Sequence, residues 1–460
     1  MKKLFRYLIY ILPLILCFSY YPLIKLGENE TMYFELSLPL IWLMVFDAVG
    51  LVMVVDKYRS KLFSKVFGSA LWWLFPIFVT FSVIWSLNVL RGILTVGVMW
   101  ALFFAVVFFF ELRENLDTKF WKIFWRWFFG AALFVCVWCV VQCILDVAGV
   151  PQEASLLCDG CVYQMFGFPH PNGFAIEPQF MGNLLLAPTI ASLYFYISDK
   201  NKKYLILFAI FAATLFLTFS RGAIYACVVG LVFFDFFVWA RAKKSEKKAV
   251  CKNIMKTVGI FVAAFLFTLN LQGVLAAASP TADTYGDGVA KVINHLSLGV
   301  IDIRGKSTEP VESSEKSETK TEGKTEAAFD GYVAESTDTR VRLSRAAFDI
   351  WKKDFKTVMV GVGIGGAGQA LYNNGDSPAP REIVQNEYAS ILLETGLVGA
   401  LLLLAMLILA VKMIIQKCEI PEVLLPLLVA YGVSLIFFSG FPNALQIILL
   451  PGLLFFFSKK

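Results

Sequence analysis

Three charged groups stand where so apolar a chain has little reason to keep them. Arg221 lies in Thr218-Phe219-Ser220-Arg221-Gly222-Ala223, at the junction of the apolar runs 204–219 and 223–240. Its guanidinium stays charged in any protein setting, and a cation at bilayer depth costs about 2.5–3.5 kcal/mol on insertion scales. An arginine at a helix end reaching back to the headgroups would relieve that cost; a fixed cation gripping an anionic headgroup would use it. Arg340 is the second. On a helical wheel it shares a face with Leu343, Ala346, Ala347, Ile350 and Trp351, while Arg342 and Arg345 point away. The alternative for Arg340 is a first-turn side chain bent back to solvent. The third is Glu177, which precedes Pro178 at the start of another apolar run; proline suits the first helical position.

Two arginines facing a diphosphate would make charge-assisted, bidentate contacts, roughly twice as strong as neutral hydrogen bonds. Shielded from water, they would also stabilise a diphosphate leaving group as its charge develops. A nearby carboxylate or imidazole would take the proton from an attacking hydroxyl. Glu177 and His170, the latter in Phe168-Pro169-His170-Pro171-Asn172-Gly173, are the candidates. Glu177 has a second reading as a helix-start residue, since helix N-termini favour negative charge. Ser220, beside Arg221, and Gln385, Asn386 and Tyr388 in Gln385-Asn386-Glu387-Tyr388 complete the set of polar substrate contacts.

The elements that must hold these groups are membrane helices. The chain has 460 residues, 58% hydrophobic, 15% aromatic and 17% charged, with net charge +6. A soluble domain would carry nearer a quarter charged residues, and repeated apolar runs of about 20 residues indicate spans. Twelve are read: 4–24, 33–55, 70–89, 93–111, 125–147, 179–198, 204–219, 223–240, 257–276, 387–411, 421–439 and 443–457. The fold class is therefore all-α, a polytopic membrane protein. The basic residues sit in short loops, so their excess does not indicate nucleic acid. Lys57, Arg59, Lys61 and Lys65, then Arg113, Lys119, Lys122 and Arg126, then Lys200, Lys202 and Lys203, and seven more over 241–256, follow the even-numbered spans. The opposite short loops hold only Lys25, Arg91 and Arg221. The positive-inside rule then places both termini in the cytoplasm and Arg221 on the outer side.

Three regions result: 1–276 with spans one to nine, an external loop at 277–386, and 387–460 with the last three spans. Within the loop, 305–336 is rich in Ser, Thr, Glu and Lys and reads as disordered, whereas 338–356 reads as an amphipathic helix capped by Thr337 or Asp338. Gly361-Val362-Gly363-Ile364-Gly365-Gly366-Ala367-Gly368 lacks the βαβ context of a dinucleotide fingerprint; close backbone approach is the better explanation. Cys136, Cys139 and Cys143 read as packing residues on a span, and Cys158 and Cys161 frame a loop where a disulfide is feasible. With two histidines, His170 and His295, the sequence offers no ligand set for a metal.

Taken together, Ser220-Arg221-Gly222 after a span, Arg340 six residues before Ala346-Ala347, Gly361-Val362-Gly363 and Asn386-Glu387-Tyr388 with Glu394-Thr395-Gly396-Leu397-Val398-Gly399 resemble the O-antigen ligase and polysaccharide polymerase superfamily of bacterial inner-membrane proteins. The resemblance covers about 165–400; the first five spans match only in number and hydrophobicity. It implies a cofactor-free, metal-independent glycosyltransferase using an undecaprenyl-diphosphate-linked oligosaccharide, with Arg221 and Arg340 holding the diphosphate. Membrane lipid and other polysaccharide assembly proteins, a flippase and a chain-length regulator, would be its partners. Where many relatives have His-Asn, this chain has Gln385-Asn386, and glutamine cannot act as a base. That departure and Glu177-Pro178 favour a polymerase, which adds glycan to another carrier-linked glycan, over a ligase, which adds it to a lipid A core. A lipid-linked glycan transporter would also have twelve spans and internal polar residues. Against it, no internal repeat is visible and the polar residues gather at one membrane face. A scaffold role is the remaining alternative.

Overall fold

The computed structural model describes residues 1–18, 22–29, 32–58, 70–150, 171–175, 177–278, 284–297, 300–301, 325–439, 441 and 444–457. The chain opens with α1 (Lys2–Cys17), an antiparallel hairpin of β1 (Pro22–Asn29) and β2 (Met32–Ser37), and α2 (Leu38–Tyr58). Then come α3 (Ala70–Ser82), α4 (Val89–Glu111), α5 (Thr118–Val147), α6 (Pro178–Asp199), α7 (Lys202–Leu217), α8 (Arg221–Arg241) and α9 (Lys247–Ala278). The shorter α10 (Tyr285–Leu296), α12 (Phe355–Val360) and α13 (Ala367–Asn373), with α11 (Thr325–Trp351), precede α14 (Glu387–Lys417), α15 (Pro421–Ser434) and α16 (Gln446–Leu454).

Each of the twelve expected spans contains a helix. Among the described residues, α2, α4, α5, α6, α8, α9 and α14 are long and apolar enough to cross a bilayer, and shorter apolar helices accompany them. The protein is an all-α polytopic membrane protein. The hairpin was not expected. It replaces the end of span one and the start of span two, because Pro22 lacks a backbone donor and Lys25, Glu28 and Glu35 break the apolar run; Lys25 pairs with Glu35 in its register. The amphipathic helix in the loop also starts earlier than read, at Thr325, where Glu326-Ala327-Ala328 supplies strong helix formers. Residues 305–324 of the segment expected to be disordered, together with His170, Cys158 and Cys161, lie outside the described residues.

The main core joins α1, α2, α4 to α8, α15 and α16, with Phe5, Phe46, Phe109, Phe120, Phe124, Phe208 and Phe211 fully buried. Cys136, Cys139 and Cys143 are buried free thiols, the first two within this core. A smaller core of Leu343, Ala346, Ala347, Ile350, Leu371 and Leu393 packs α11 and α13 onto α14. Here the expected apolar face of α11 is turned inward.

The glycine-rich loop between α12 and α13 is a lock. Val362 N and Gly363 N donate to Leu393 O and Glu394 O, both at 2.9 Å. Those two carbonyls lie just before a break in α14 at Gly396 (φ 63°, ψ −169°). Non-helical backbone within a span persists only where protein groups satisfy it, and the loop does so. On its other side the loop meets the α3–α4 corner, where Ser86 Oγ donates to Ile364 O at 2.8 Å. A Cβ on Gly363, whose φ is +90°, would lie 2.3 Å from Ser86 Cα. We predict that Gly363→Ala lowers the Tm of the detergent-purified protein by several degrees, strain alone being about 1–3 kcal/mol. Gly97 has no neighbour within 4 Å of an added Cβ, so Gly97→Ala is the control. Equal Tm values for the two variants would contradict the lock.

Candidate functional site

Arg221 owes its place to a short turn between two consecutive helices. α7 ends at Leu217, Phe219 takes a left-handed conformation (φ 47°), and Ser220 is the N-cap of α8. Arg221 is thus the first residue of α8, and it is only 7% exposed. Burial removes the reading in which it snorkels to solvent. A cation also opposes the macrodipole at a helix N-terminus, so this position gains no helix stability from its charge; it adds to the amide groups that already favour an anion there. The turn is held from below. Ser220 Oγ donates to Gln179 Oε1 of α6, Gln179 Nε2 donates to Ser434 Oγ of α15 at 3.2 Å, and Ser434 Oγ donates to Asn183 Oδ1 at 2.6 Å. Gly182 and Gly222 permit the close approach, with added Cβ atoms falling 2.5 Å from Ala223 Cβ and 2.7 Å from Phe437 Cβ.

A single cavity of about 1830 Å³ gathers most of the candidates: Glu177, Ser220, Arg221, Arg340, Gln385 and Tyr388 all line it. Arg340 is half-buried, and its Nε is enclosed with no hydrogen-bond partner among the described residues. Arg342 and Arg345 are exposed, and Arg342 Nη1 donates to Asp376 O at 2.6 Å. Gln385 has φ 58°, a left-handed value for a residue with a side chain. This backbone turn lets Asn386 cap α14 by accepting from Ala389 N at 3.1 Å. Asn386 is therefore a capping residue and does not line the cavity. Tyr388 donates its hydroxyl to Gly432 O at 2.8 Å, joining α14 to α15.

Glu177 is the N-cap of α6 but makes no side-chain capping bond. Its side chain lines the cavity and is exposed into it. Desolvation by the protein packed around it raises its pKa above the usual glutamate value, and Arg340 partly offsets the rise.

Two features escaped the sequence reading. The first is His295, at the end of α10, which lines the same cavity and is 4% exposed. Its Nε2 lies 3.0 Å from Phe219 O. A carbonyl only accepts, so Nε2 carries the hydrogen. Burial first, then Arg221 and Arg340, push its pKa down to about 4, with the Phe219 contact acting in the opposite direction. Only the Thr284–Asp287 capping box of α10, readable as Thr-x-x-Asp, could have signalled this helix. The second is a cluster of Arg91, Arg381 and Glu394 on the cavity wall. Glu394 Oε1 accepts from Ala367 N at 3.2 Å, and Arg91 Nη1 donates to Arg381 O at 3.4 Å. Glu394 thereby ties the glycine-rich loop to α14.

Below the polar groups the cavity is apolar. Leu94, Val98, Leu102 and Val106 of α4, Leu403, Leu407, Val411 and Ile415 of α14, Ile448 of α16 and Phe455 just after it all line it. From Tyr388 to Ile415, α14 rises about 40 Å at 1.5 Å per residue, more than the roughly 30 Å hydrocarbon core. The arrangement is a cationic, carboxylate-bearing head joined to a membrane-deep apolar channel. Such a shape takes an amphiphile with an anionic head and a long hydrocarbon tail.

Residues 206–404 match the O-antigen ligase family. The matched segment runs from α7 into α14 and includes Arg221, His295, Arg340, Gln385, Tyr388 and Glu394, whereas Glu177 and Arg91 lie before it. No curated protein matches the chain.

Proposed function

From the match of residues 206–404 to the O-antigen ligase family, we propose that the chain is a polysaccharide repeat-unit polymerase of the bacterial cytoplasmic membrane. The donor is a glycan on an undecaprenyl diphosphate carrier, and the acceptor is a hydroxyl of another carrier-linked glycan. The observation that carries this reading is the union, in one cavity, of Arg221, Arg340 and Glu177 with an apolar channel of membrane depth. The arginines hold the diphosphate and the channel holds the isoprenoid tail. The acceptor oxygen bonds to the anomeric carbon as the bond from that carbon to the diphosphate oxygen breaks. The hydroxyl proton passes to Glu177, and the carrier diphosphate leaves with the bonding electrons. No cofactor or metal takes part in this scheme.

Burial strengthens Glu177 as a proton acceptor, while its place beside Arg340 keeps it near the diphosphate-linked sugar. Gln385 and Tyr388 contact the glycan. The experiment is a deletion strain with its lipid-linked saccharides analysed. Single repeat units on the carrier, on the outer face, support the polymerase. Full-length carrier-linked polymer would instead identify a ligase, and units confined to the inner face a transporter.

The site must open outward for this chemistry. Reporter fusions at Lys247 and Lys320 are expected to report cytoplasm and exterior respectively, with both termini cytoplasmic, because the basic loops cluster at one face. Both reporters on one side of the membrane would overturn the orientation and with it the proposed access of the acceptor.

A further inference from the structure

We propose that the membrane face opposite the candidate site binds an anionic phospholipid: its phosphodiester lies among the lysines that begin α7 and α9, and its acyl chains run along the outer surface of α9. This goes beyond the proposed reaction and does not rest on it.

The site is built from two short stretches at the far end of the helices from Arg221. α7 starts at Lys202 and approaches the Arg221 turn only at its other end, Leu217. The corner between α6 and α7 is tight: Lys200 is left-handed (φ 52°), and Asn201 caps α7 by accepting from Lys203 N at 3.1 Å. Three exposed lysines, Lys200, Lys202 and Lys203, therefore sit beside a helix N-terminus, whose amide groups also favour an anion. α9 brings a second set. Lys248, Lys252 and Lys256 recur every four residues and so share one helix face. Lys256 Nζ donates at 3.0 Å to the hydroxyl of Tyr196, in the last turn of α6. Lys203 Nζ lies 4.6 Å from the centroid of the Tyr204 ring. Tyrosines of this kind mark the membrane–water interface.

Charge and exposure together identify the occupant. Asp199 is the one acidic residue in 196–204 and 247–257, against seven lysines. None of the six lysines named above pairs with a carboxylate among the described residues. α9 has no buried residue before Thr257, and a helical segment shorter than about 12 residues is marginal in water by itself. Met255, three residues after Lys252 and on the same face, is 76% exposed. Beyond Lys256 that face continues through exposed Gly259, Ala263 and Phe267, and an added Cβ on Gly259 would meet nothing within 4 Å. With Lys256 level with Tyr196, Lys252 lies about 6 Å farther out, inside a headgroup layer roughly 5–7 Å deep. Cations at headgroup depth above an open apolar surface match a phospholipid. An acidic protein segment would answer the lysines and leave the apolar surface uncovered.

The test uses the full chain in dodecyl maltoside, with dioctanoyl phosphatidylglycerol as probe and dioctanoyl phosphatidylcholine as the zwitterionic control. Native mass spectrometry counts the bound lipid during each titration. The unmodified protein should prefer phosphatidylglycerol at low salt, and the preference should shrink as salt rises. Each lysine near an anionic headgroup contributes about a fivefold factor. Lys252→Gln combined with Lys256→Gln should therefore weaken phosphatidylglycerol binding about 25-fold and leave phosphatidylcholine unchanged; Lys200→Gln combined with Lys202→Gln should do the same. Lys412→Gln combined with Lys417→Gln removes the same charge from exposed positions at the far end of α14, and should leave the preference intact. Equal binding of the two lipids by the unmodified protein overturns the proposal. So does an equal loss in the α14 variant, which would reduce the effect to overall charge. Tight binding of a hexaglutamate peptide at these lysines, without a preference between the lipids, would assign the surface to an acidic protein partner instead. The substituted lysines are all exposed, and the lipid preference of the unmodified protein decides even if a variant fails to fold.

Discussion

Polymer is expected to disappear when Arg221 becomes alanine, and to return hardly at all when Arg221 becomes lysine. A fixed donor to developing charge in a water-shielded site is worth about 10²–10³ in rate, and each variant should lose at least that much. Lysine keeps the charge but presents a compact, strongly hydrated ammonium in place of a planar fork. In a position only 7% exposed it cannot recover both the geometry and its hydration. Arg340→Ala and Arg340→Lys should behave alike, since Arg340 lines the same cavity and its enclosed Nε lacks a hydrogen-bond partner among the described residues. Arg342→Ala and Arg345→Ala, at exposed positions of the same helix, should leave polymer length and yield unchanged. The measurement is surface polymer by gel, with membrane levels of each variant checked by blot. Because a cation at the start of α8 opposes the macrodipole, the alanine variant should accumulate normally. Full polymer in a well-expressed Arg221→Ala strain would remove the clamp from the mechanism.

The second large effect is at Glu177. Glu177→Gln keeps the size and the hydrogen bonding of the side chain but abolishes its basicity. General-base assistance contributes about 10²–10⁴, so transfer should fall by that factor while the donor still binds. The pH profile provides a second reading. Burial raises the carboxyl above the ordinary value, and a base works only when deprotonated. The rate should therefore climb with pH through a limb centred above the usual glutamate value of about 4.3, and that limb should be missing in the variant. Transfer at the normal rate in Glu177→Gln would leave Glu177 as a helix-start residue.

Much of this molecule is legible in its sequence. Apolar run length alone locates the membrane helices, because a bilayer has a fixed thickness and satisfies no backbone group. Helical periodicity was enough to turn Arg340 towards the apolar face of its helix and Arg342 and Arg345 away. Loop glycines announced close backbone contacts without saying with what. Position in space was another matter. Glu177, Arg221, Arg340 and Gln385 are separated by 44, 119 and 45 residues in the chain, and only packing of α6, α8, α11 and α14 around one cavity sets them together. Asn386 was a plausible ligand by its motif; the left-handed turn at Gln385 made it a helix cap. His295 is the clearest case. Nothing in the residues around it marks its place on the cavity wall, and its pKa is pushed down to about 4 first by burial, then by Arg221, 74 positions away, and Arg340. Local chemistry is written in residue type and spacing, whereas electrostatic environment is a property of distances that exist only once the chain has folded.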